Sequence, residues 1–468
     1  MNGGLMSRPY RALTIGIVAL ISLIGFEYLA IATAMPAVAR ALDGLPLYTL
    51  AFGGPMAAGV IGMVLSGNGC DRHGPRRPLW CGVAAFAAGL LLAGLAPTMA
   101  LLVAGRLVQG FGGGLMSVAL YVLVARAYPA ALHPRIFAAF AAAWVVPVIV
   151  GPALAGALVE TLGWRWVFLG AVLLALPAAL FVQAGLRGRV LQEPPPSSGA
   201  ASHLPWAVAA AASAGLLYWA GQHHEAPWLA LALAVLAIAA RQLLPRGALQ
   251  AQRGLPAVVA LRGLVAAAFF GCEVFIPLML SGERGLSLTQ AGLVLTVGAL
   301  GWSAGSWWQA RPGAPARQLL LRGGMAAIVA GILSMLALLW PAIPLAVGVL
   351  GWIGAGLGMG VVYPTLSVLT LELSAPSQQG SNSSALQLSD SLFSATALAL
   401  SGALFAALLP QSAVAGYAAG LLLAAGFAAA GWVVAGRTLD PQAGSRSVAM
   451  PIQEGLHGAA VRPQPVEG

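Results

Sequence analysis

Stretches of about twenty apolar residues, each long enough to cross about 30 Å of hydrocarbon as a helix, recur along this sequence from residue 12 to residue 436. Fourteen candidates fall at 12–36, 47–66, 78–97, 99–125, 136–159, 164–185, 204–221, 227–244, 256–281, 289–309, 319–340, 343–371, 383–409 and 412–436. In hydrocarbon every backbone polar group has to be satisfied within its own segment, so the fold class expected is an all-α polytopic membrane protein. Composition excludes an ordinary soluble fold: 59% of the 468 residues are hydrophobic, 8% are charged and mean hydropathy is +0.88. No room remains for a soluble catalytic domain, and no nucleotide loop, metal cluster or nucleophile triad is visible, so no enzyme activity is expected.

The net charge of +10 comes from 23 arginines without a lysine. If the first span runs from inside to outside and the rest alternate, nineteen arginines, Arg262 among them, lie inside or at inner helix ends. Arg40, Arg165 and Arg284 lie outside, and Arg106 alone falls within a span. This positive-inside bias places both termini in the cytoplasm and explains the basic balance without nucleic acid. Losing one of the short alanine-rich stretches 204–221 and 227–244 would invert every later loop, whereas losing both would keep the pattern, so twelve spans is the alternative to fourteen. Arg8, Arg11 and the apolar run after them resemble a signal peptide, but no small-residue cleavage site follows, and a retained first span is expected. Cys70, Cys81 and Cys272 have neither CxxC nor Cys/His spacing, which argues against a disulfide frame or a zinc site.

Proline-rich and polar seams divide the chain. The expected organisation is an N-terminal six-helix bundle (12–185), a cytoplasmic linker (186–203) containing Pro194-Pro195-Pro196-Ser197-Ser198-Gly199, two inserted transmembrane helices (204–244), a C-terminal six-helix bundle (245–436) and a disordered cytoplasmic tail (437–468). Two six-helix halves related by an axis along the membrane normal is an arrangement used by many secondary transporters, with the ligand site at their interface.

Candidate functional residues are the charges that a bilayer should exclude. Glu27 lies over a turn from any span end, where an ionised carboxylate costs roughly 2.5 to 3.5 kcal/mol, so it is a candidate to load and release a proton. Glu273 has a parallel position on the first span of the second half, and Asp390 lies among Gln387, Ser389 and Ser391. For both, a proton or substrate contact and a structural or solvated role remain open. Arg106 needs a carboxylate or backbone carbonyls as company, and the glycines that follow it permit close helix approach. The densest island of charge runs from Gly67 to Arg77 and includes Asp71, Arg72, Gly74, Arg76 and Arg77. Between Pro147 and Gly156, Pro147, Gly151 and Pro152 interrupt a helical pattern and suit a bent contact between helices that rock or seal.

These segments together resemble the major facilitator superfamily, specifically its drug/proton antiporter branch with fourteen transmembrane spans. The turn Gly67 to Arg77 is similar to the family's Gly-x-x-x-Asp-Arg-x-Gly-x-Arg-Arg loop, Arg106-Leu107-Val108-Gln109-Gly110 to its fourth-span motif and Gly151-Pro152-Ala153-Leu154-Ala155-Gly156 to the fifth-span motif of antiporters. Gly163-Trp164-Arg165-Trp166-Val167-Phe168, and an acid nine residues before a proline in the first span, Glu27 and Pro36, are typical of the branch. The resemblance implies that Asp71 and its arginines form a conformational latch, that Arg106 assists proton transfer and that the fifth span seals against the other half. Departures are Ala155 for a usual glycine, Pro147 for a small residue and Glu27 for the commoner aspartate. Asn382 to Asp390 resembles exporters of lipids or lipophilic compounds.

The expectation is therefore a proton-coupled antiporter of the multidrug efflux type, exporting lipophilic or cationic small molecules across a bacterial inner membrane by alternating access. Its energy source would be the proton gradient, with no cofactor and no metal. Its partners would be a lipophilic substrate, protons and membrane lipid, and it would work as a monomer. Proton coupling is expected at Glu27, Arg106, Glu273 and Asp390. Export of lipids or lipophilic metabolites, uptake by symport and a non-transporting membrane sensor are the alternatives.

Overall fold

A computed structural model describes residues 4–44, 47–189, 191, 203–223, 225–286, 288–311 and 313–438, and regular structure among them is entirely helical. The expected linker's proline-rich part, 192–202, and the tail beyond 438 lie outside the described residues. A first group comprises α1 (Arg11–Ala41), α2 (Tyr48–His73), α3 (Arg76–Gly94), α4 (Met99–Ala127), α5 (His133–Thr161) and α6 (Arg165–Leu186). A pair follows, α7 (Leu204–His223) and α8 (Ala226–Leu243). The last group is α9 (Leu255–Glu273), α10 (Ile276–Arg284), α11 (Leu288–Gln309), α12 (Arg317–Ala337), α13 (Leu345–Glu372), α14 (Gln379–Leu408) and α15 (Ala413–Ala435). Eight helical segments among the described residues are long and apolar enough to cross a membrane, and the chain is a multi-pass membrane protein.

Local chemistry sets the ends. Gly74, at φ +79°, turns the chain out of α2 in a conformation that a side chain would strain. The Thr98 hydroxyl accepts from the Leu101 N–H at the start of α4, and Ser412 does the same for α15 through Ala415. One apolar stretch, 256–281, is not a single helix. Pro277 lacks an N–H and its ring opposes the carbonyl four residues back, that of Glu273, where α9 ends and α10 takes over.

The two groups repeat one packing pattern. In the first, α4 lies between α2 and α3, while α1 lies against α5 and α6. In the second, α13 lies between α11 and α12, while α9 lies against α14 and α15. Glycines permit the closest crossings: a Cβ on Gly112 would stand 2.7 Å from the Gly82 carbonyl oxygen of α3, and one on Gly114 would stand 2.8 Å from the Gly59 carbonyl carbon of α2. The glycines after Arg106 therefore serve two interfaces from two sides of one helix.

The groups meet where α2 crosses α14 and where α5 packs on α11 and α13. The α7–α8 pair bridges the first of these seams. Val60 and Val64 of α2, Ala207 and Leu217 of α7, Leu236 and Ala239 of α8, and Leu388 and Leu392 of α14 share one buried apolar cluster.

Arginines lock the two membrane faces. On one face Arg76 donates to the carbonyls of Leu186 and Arg189, Arg189 to those of Ala127 and Pro9, and the Gly254 N–H to the Arg437 carbonyl. On the opposite face Arg165 donates to the Ala96 carbonyl, and Arg284 to those of Leu338, Trp340, Pro341 and Ile343. Arg262 departs from expectation: it is not at an inner helix end but in the eighth position of α9, 5% exposed, so Arg106 is not alone within a span.

Candidate functional site

In the first helix group α1 presents Glu27, 2% exposed, toward α4. The Gln109 amide donates to Glu27 Oε2 at 2.8 Å, and its own carbonyl Oε1 accepts from Arg106 at 2.6 Å. The Arg106 Nε donates to the Ala51 carbonyl at 3.2 Å. Arg106 and Gln109 stand three apart on α4, which puts them on one helix face. The company required by Arg106 is thus an amide and a backbone carbonyl, with Glu27 one residue further along the chain of hydrogen bonds. Glu27 Oε1 is buried without a partner among the described residues, an acceptor that a proton or a ligand could satisfy.

The second group buries charge differently. Arg262 reaches Asp390 Oδ2 through Nε at 3.1 Å and through a terminal nitrogen at 3.0 Å. The Tyr363 hydroxyl donates to Asp390 Oδ1 at 2.9 Å, and the guanidinium lies 3.5 Å from the centre of the Tyr363 ring. Three helices, α9, α13 and α14, are tied together by these contacts. The approach of α14 to α9 depends on Gly263, where a Cβ would meet Ser389 Oγ at 2.5 Å. Tyr121 of α4 packs against the buried apolar residues of both groups and joins the two clusters.

Glu273 does not join either cluster. It ends α9 at the helix break, partly exposed, and makes no hydrogen bond or ion pair among the described residues.

The charged turn divides its work. Asp71 crosses the seam: its Oδ1 accepts from the Gly380 N–H at 2.6 Å and its Oδ2 from the Ser381 N–H at 2.7 Å, capping the start of α14. Gly67 and Gly380 let α2 and α14 touch there, since a Cβ on Gly67 would lie 3.0 Å from the Gly380 carbonyl oxygen, and Ser384 donates to the Met63 carbonyl at 2.9 Å. Arg76 stays within the first group, clasping the end of α6, and Arg77 is exposed beside it. Arg72 also lies on the exposed side of the turn. Arg126 donates to the Cys70 carbonyl at 3.3 Å, behind Asp71.

In α5 the helix continues through Pro147 and Pro152 without interruption. Pro147 and Gly151 are buried, whereas a Cβ on Gly156 would have nothing within 4 Å, so this glycine makes no close crossing. Sequence reasoning did not single out Gln109, Arg262 or Tyr363. Gln109 carries no charge to mark it, and Arg262 sits close enough to the start of its apolar stretch to pass for a helix end. Arg262 and Asp390 are 128 residues apart, so no local spacing pairs them. Among the described residues no group of His, Cys, Asp and Glu could hold a metal ion.

Comparison with known proteins adds the following. Over 104 residues, 22% of this chain and 19% of the relative, the sequence is 38% identical to a multidrug resistance protein B homolog of Mycobacterium tuberculosis. Over 279 residues, 57% of this chain and 51% of the relative, it is 24% identical to the multidrug transporter protein MdtP of Bacillus subtilis. The chain thus matches between a fifth and a half of the length of these curated relatives. The crystal structure of the human organic anion transporter MFSD10 (TETRAN) superposes with a TM-score of 0.68 at 18% identity, covering 91% of this chain and 99% of that one, which is a likeness of fold. A family model described as the Major Facilitator Superfamily matches residues 15–397, from α1 into α14 and across both clusters, and the chain belongs to that superfamily of membrane transporters.

Proposed function

We propose that this chain is a proton-coupled antiporter that exports lipophilic or cationic small molecules by alternating access, from a bacterial inner membrane with both termini in the cytoplasm. In this reading α1–α6 form one six-helix bundle, α9 and α10 together make the first span of a second bundle completed by α11–α15, and α7–α8 are the inserted pair, giving fourteen spans. The repeated packing pattern and the arginines locked on one face support that assignment.

The observation that carries the proposal is the buried chain Glu27–Gln109–Arg106 with one carboxylate oxygen unpaired. An ionised Glu27 facing the cytoplasm attracts a cationic group, and a proton arriving from outside neutralises it and dismisses the substrate. Release of that proton inward restores the site. Arg106 does not neutralise Glu27 by direct contact; Gln109 relays its influence and keeps the carboxyl available for protonation. Asp390, with both oxygens engaged, serves as fixed countercharge to Arg262, and Glu273 marks the hinge between α9 and α10. Asp71 on the start of α14 holds the cytoplasmic ends of the bundles together, and its release opens the inward-facing state. The multidrug names of the matched relatives agree with efflux.

Everted membrane vesicles with an imposed pH gradient test the reading. Substrate panels of lipophilic cations should be accumulated by the native chain with proton release, and Glu27→Gln should abolish gradient-driven accumulation. Full gradient-driven transport by that variant would sink the assignment, and substrate moving together with protons would replace antiport by symport.

A further inference from the structure

On the face that carries the Asp71 turn, a cavity of about 390 Å³ opens between the two helix groups. One wall is the start of α5 with Pro134 and Arg135; the other is the end of α11 with Gln309 and Arg311 and the start of α12 with Arg317. The buried Gln309 amide donates to the Pro134 carbonyl at 3.4 Å and holds the walls together. Three arginines thus line one cavity from both sides of the seam. The neighbouring negative charge is Glu372, whose two oxygens are both taken by Arg317. Three positive charges less one leaves an excess of two, and neither the Arg135 nor the Arg311 side chain has a hydrogen bond or ion pair among the described residues. The N-terminus of α12 opens at the same place without a side-chain cap, whereas at the start of α5 the His133 N–H is taken by the Ala130 carbonyl and Pro134 has none. Positive-inside bias accounts for arginines on this face. It does not account for three of them lining one cavity, from two helix groups, with spare charge.

We propose that this cavity binds a phosphate group, and that the bound oxyanion bridges Arg135 to Arg311 and Arg317 and so favours the arrangement in which the cytoplasmic ends are joined. Guanidinium forks match phosphate oxygens in pairs, and the start of α12 adds a field of the same sign. The phosphate belongs either to an anionic phospholipid headgroup of the cytoplasmic leaflet or to a soluble phosphate ester, which share this chemistry.

Thermal unfolding of the purified full chain separates the two. In nanodiscs of phosphatidylcholine, addition of phosphatidylglycerol to the bilayer should raise the unfolding midpoint by several degrees. Arg135→Gln combined with Arg311→Gln should unfold like the native chain in pure phosphatidylcholine and lose most of that gain. The corresponding double lysine variant should keep part of it, because charge remains while the fork is lost. A control pair on the same face but outside the cavity, Arg241→Gln with Arg246→Gln, should keep the gain in full. If phosphatidylglycerol has no effect but millimolar inorganic phosphate or glycerol phosphate stabilises the native chain and not the Arg135/Arg311 variant, the source is soluble and the site stands. The proposal is overturned if neither anion stabilises the native chain, if the glutamine variant keeps the gain, or if the control pair loses as much.

Discussion

Between α1 and α4 a glutamine holds acid and arginine apart and one oxygen of Glu27 is left over; among α9, α13 and α14 the acid and arginine touch, and both oxygens of Asp390 are engaged. The difference is one of reserve. A carboxylate locked against a guanidinium has little to gain from a proton, because protonation would strand a buried cation. A carboxyl that shares one oxygen with a neutral amide can change its protonation while Gln109 keeps Arg106 in place. In the function proposed above, similar helix packing supports a titratable site in one half and a fixed electrostatic staple in the other.

The largest expected effect falls on the staple. Arg262→Leu leaves the half-buried Asp390 carboxylate without its cation, with the Tyr363 hydroxyl as its remaining partner, and should destabilise the protein by about 3 kcal/mol, read as a lowered unfolding midpoint in detergent; adding Asp390→Leu should recover most of the loss. A tolerated single variant would break the contrast between the halves. Gln109→Leu strands Glu27 Oε2 and one terminal nitrogen of Arg106, and should cost about 1–3 kcal/mol while suppressing substrate-driven proton release in vesicles. Unchanged proton release would show that the amide is dispensable to the carrier site.

Smaller effects test the seam. Asp71→Ala removes the cap on α14 and should weaken the joined state by about 0.5–2 kcal/mol, measured as faster labelling of a cysteine placed at residue 384 when the native cysteines have been replaced. Gly380→Ala should act in the same direction, because its Cβ would stand 2.7 Å from Asp71 Oδ1 and 2.8 Å from Cys70 Cβ. Gly156→Ala, which meets open space, should change stability by less than about 0.5 kcal/mol in the same unfolding assay. A large loss at Gly156 would point to a close crossing formed in another state of the transporter.

Much of this architecture was legible before any coordinates. Hydropathy located the helices, and the sign and spacing of the arginines sorted the loops to two faces, since these are local and cumulative signals. Glu27 and Arg106 stood out because a lone charge among apolar neighbours is conspicuous in one dimension. Gln109 did not, being uncharged, although it sits in the segment that drew attention to Arg106. Glu273 shows the converse: its position in the second half parallels that of Glu27, yet it lies at a proline-imposed break away from the second charged cluster. Its parallel placement was a statement about numbering, and the break at Pro277 altered what that numbering meant in space.

By itself, the sequence determined that the chain spans a membrane many times and which acids are costly to bury, because hydrocarbon imposes those terms residue by residue. Only the tertiary structure decided that Gln109 stands between Glu27 and Arg106, that Arg262 belongs to Asp390, that Asp71 caps α14 and that α7–α8 bridge α2 to α14. Those pairings join residues scores or hundreds of positions apart, and they are fixed by which small residues let two helices cross closely enough for a side chain to reach its partner.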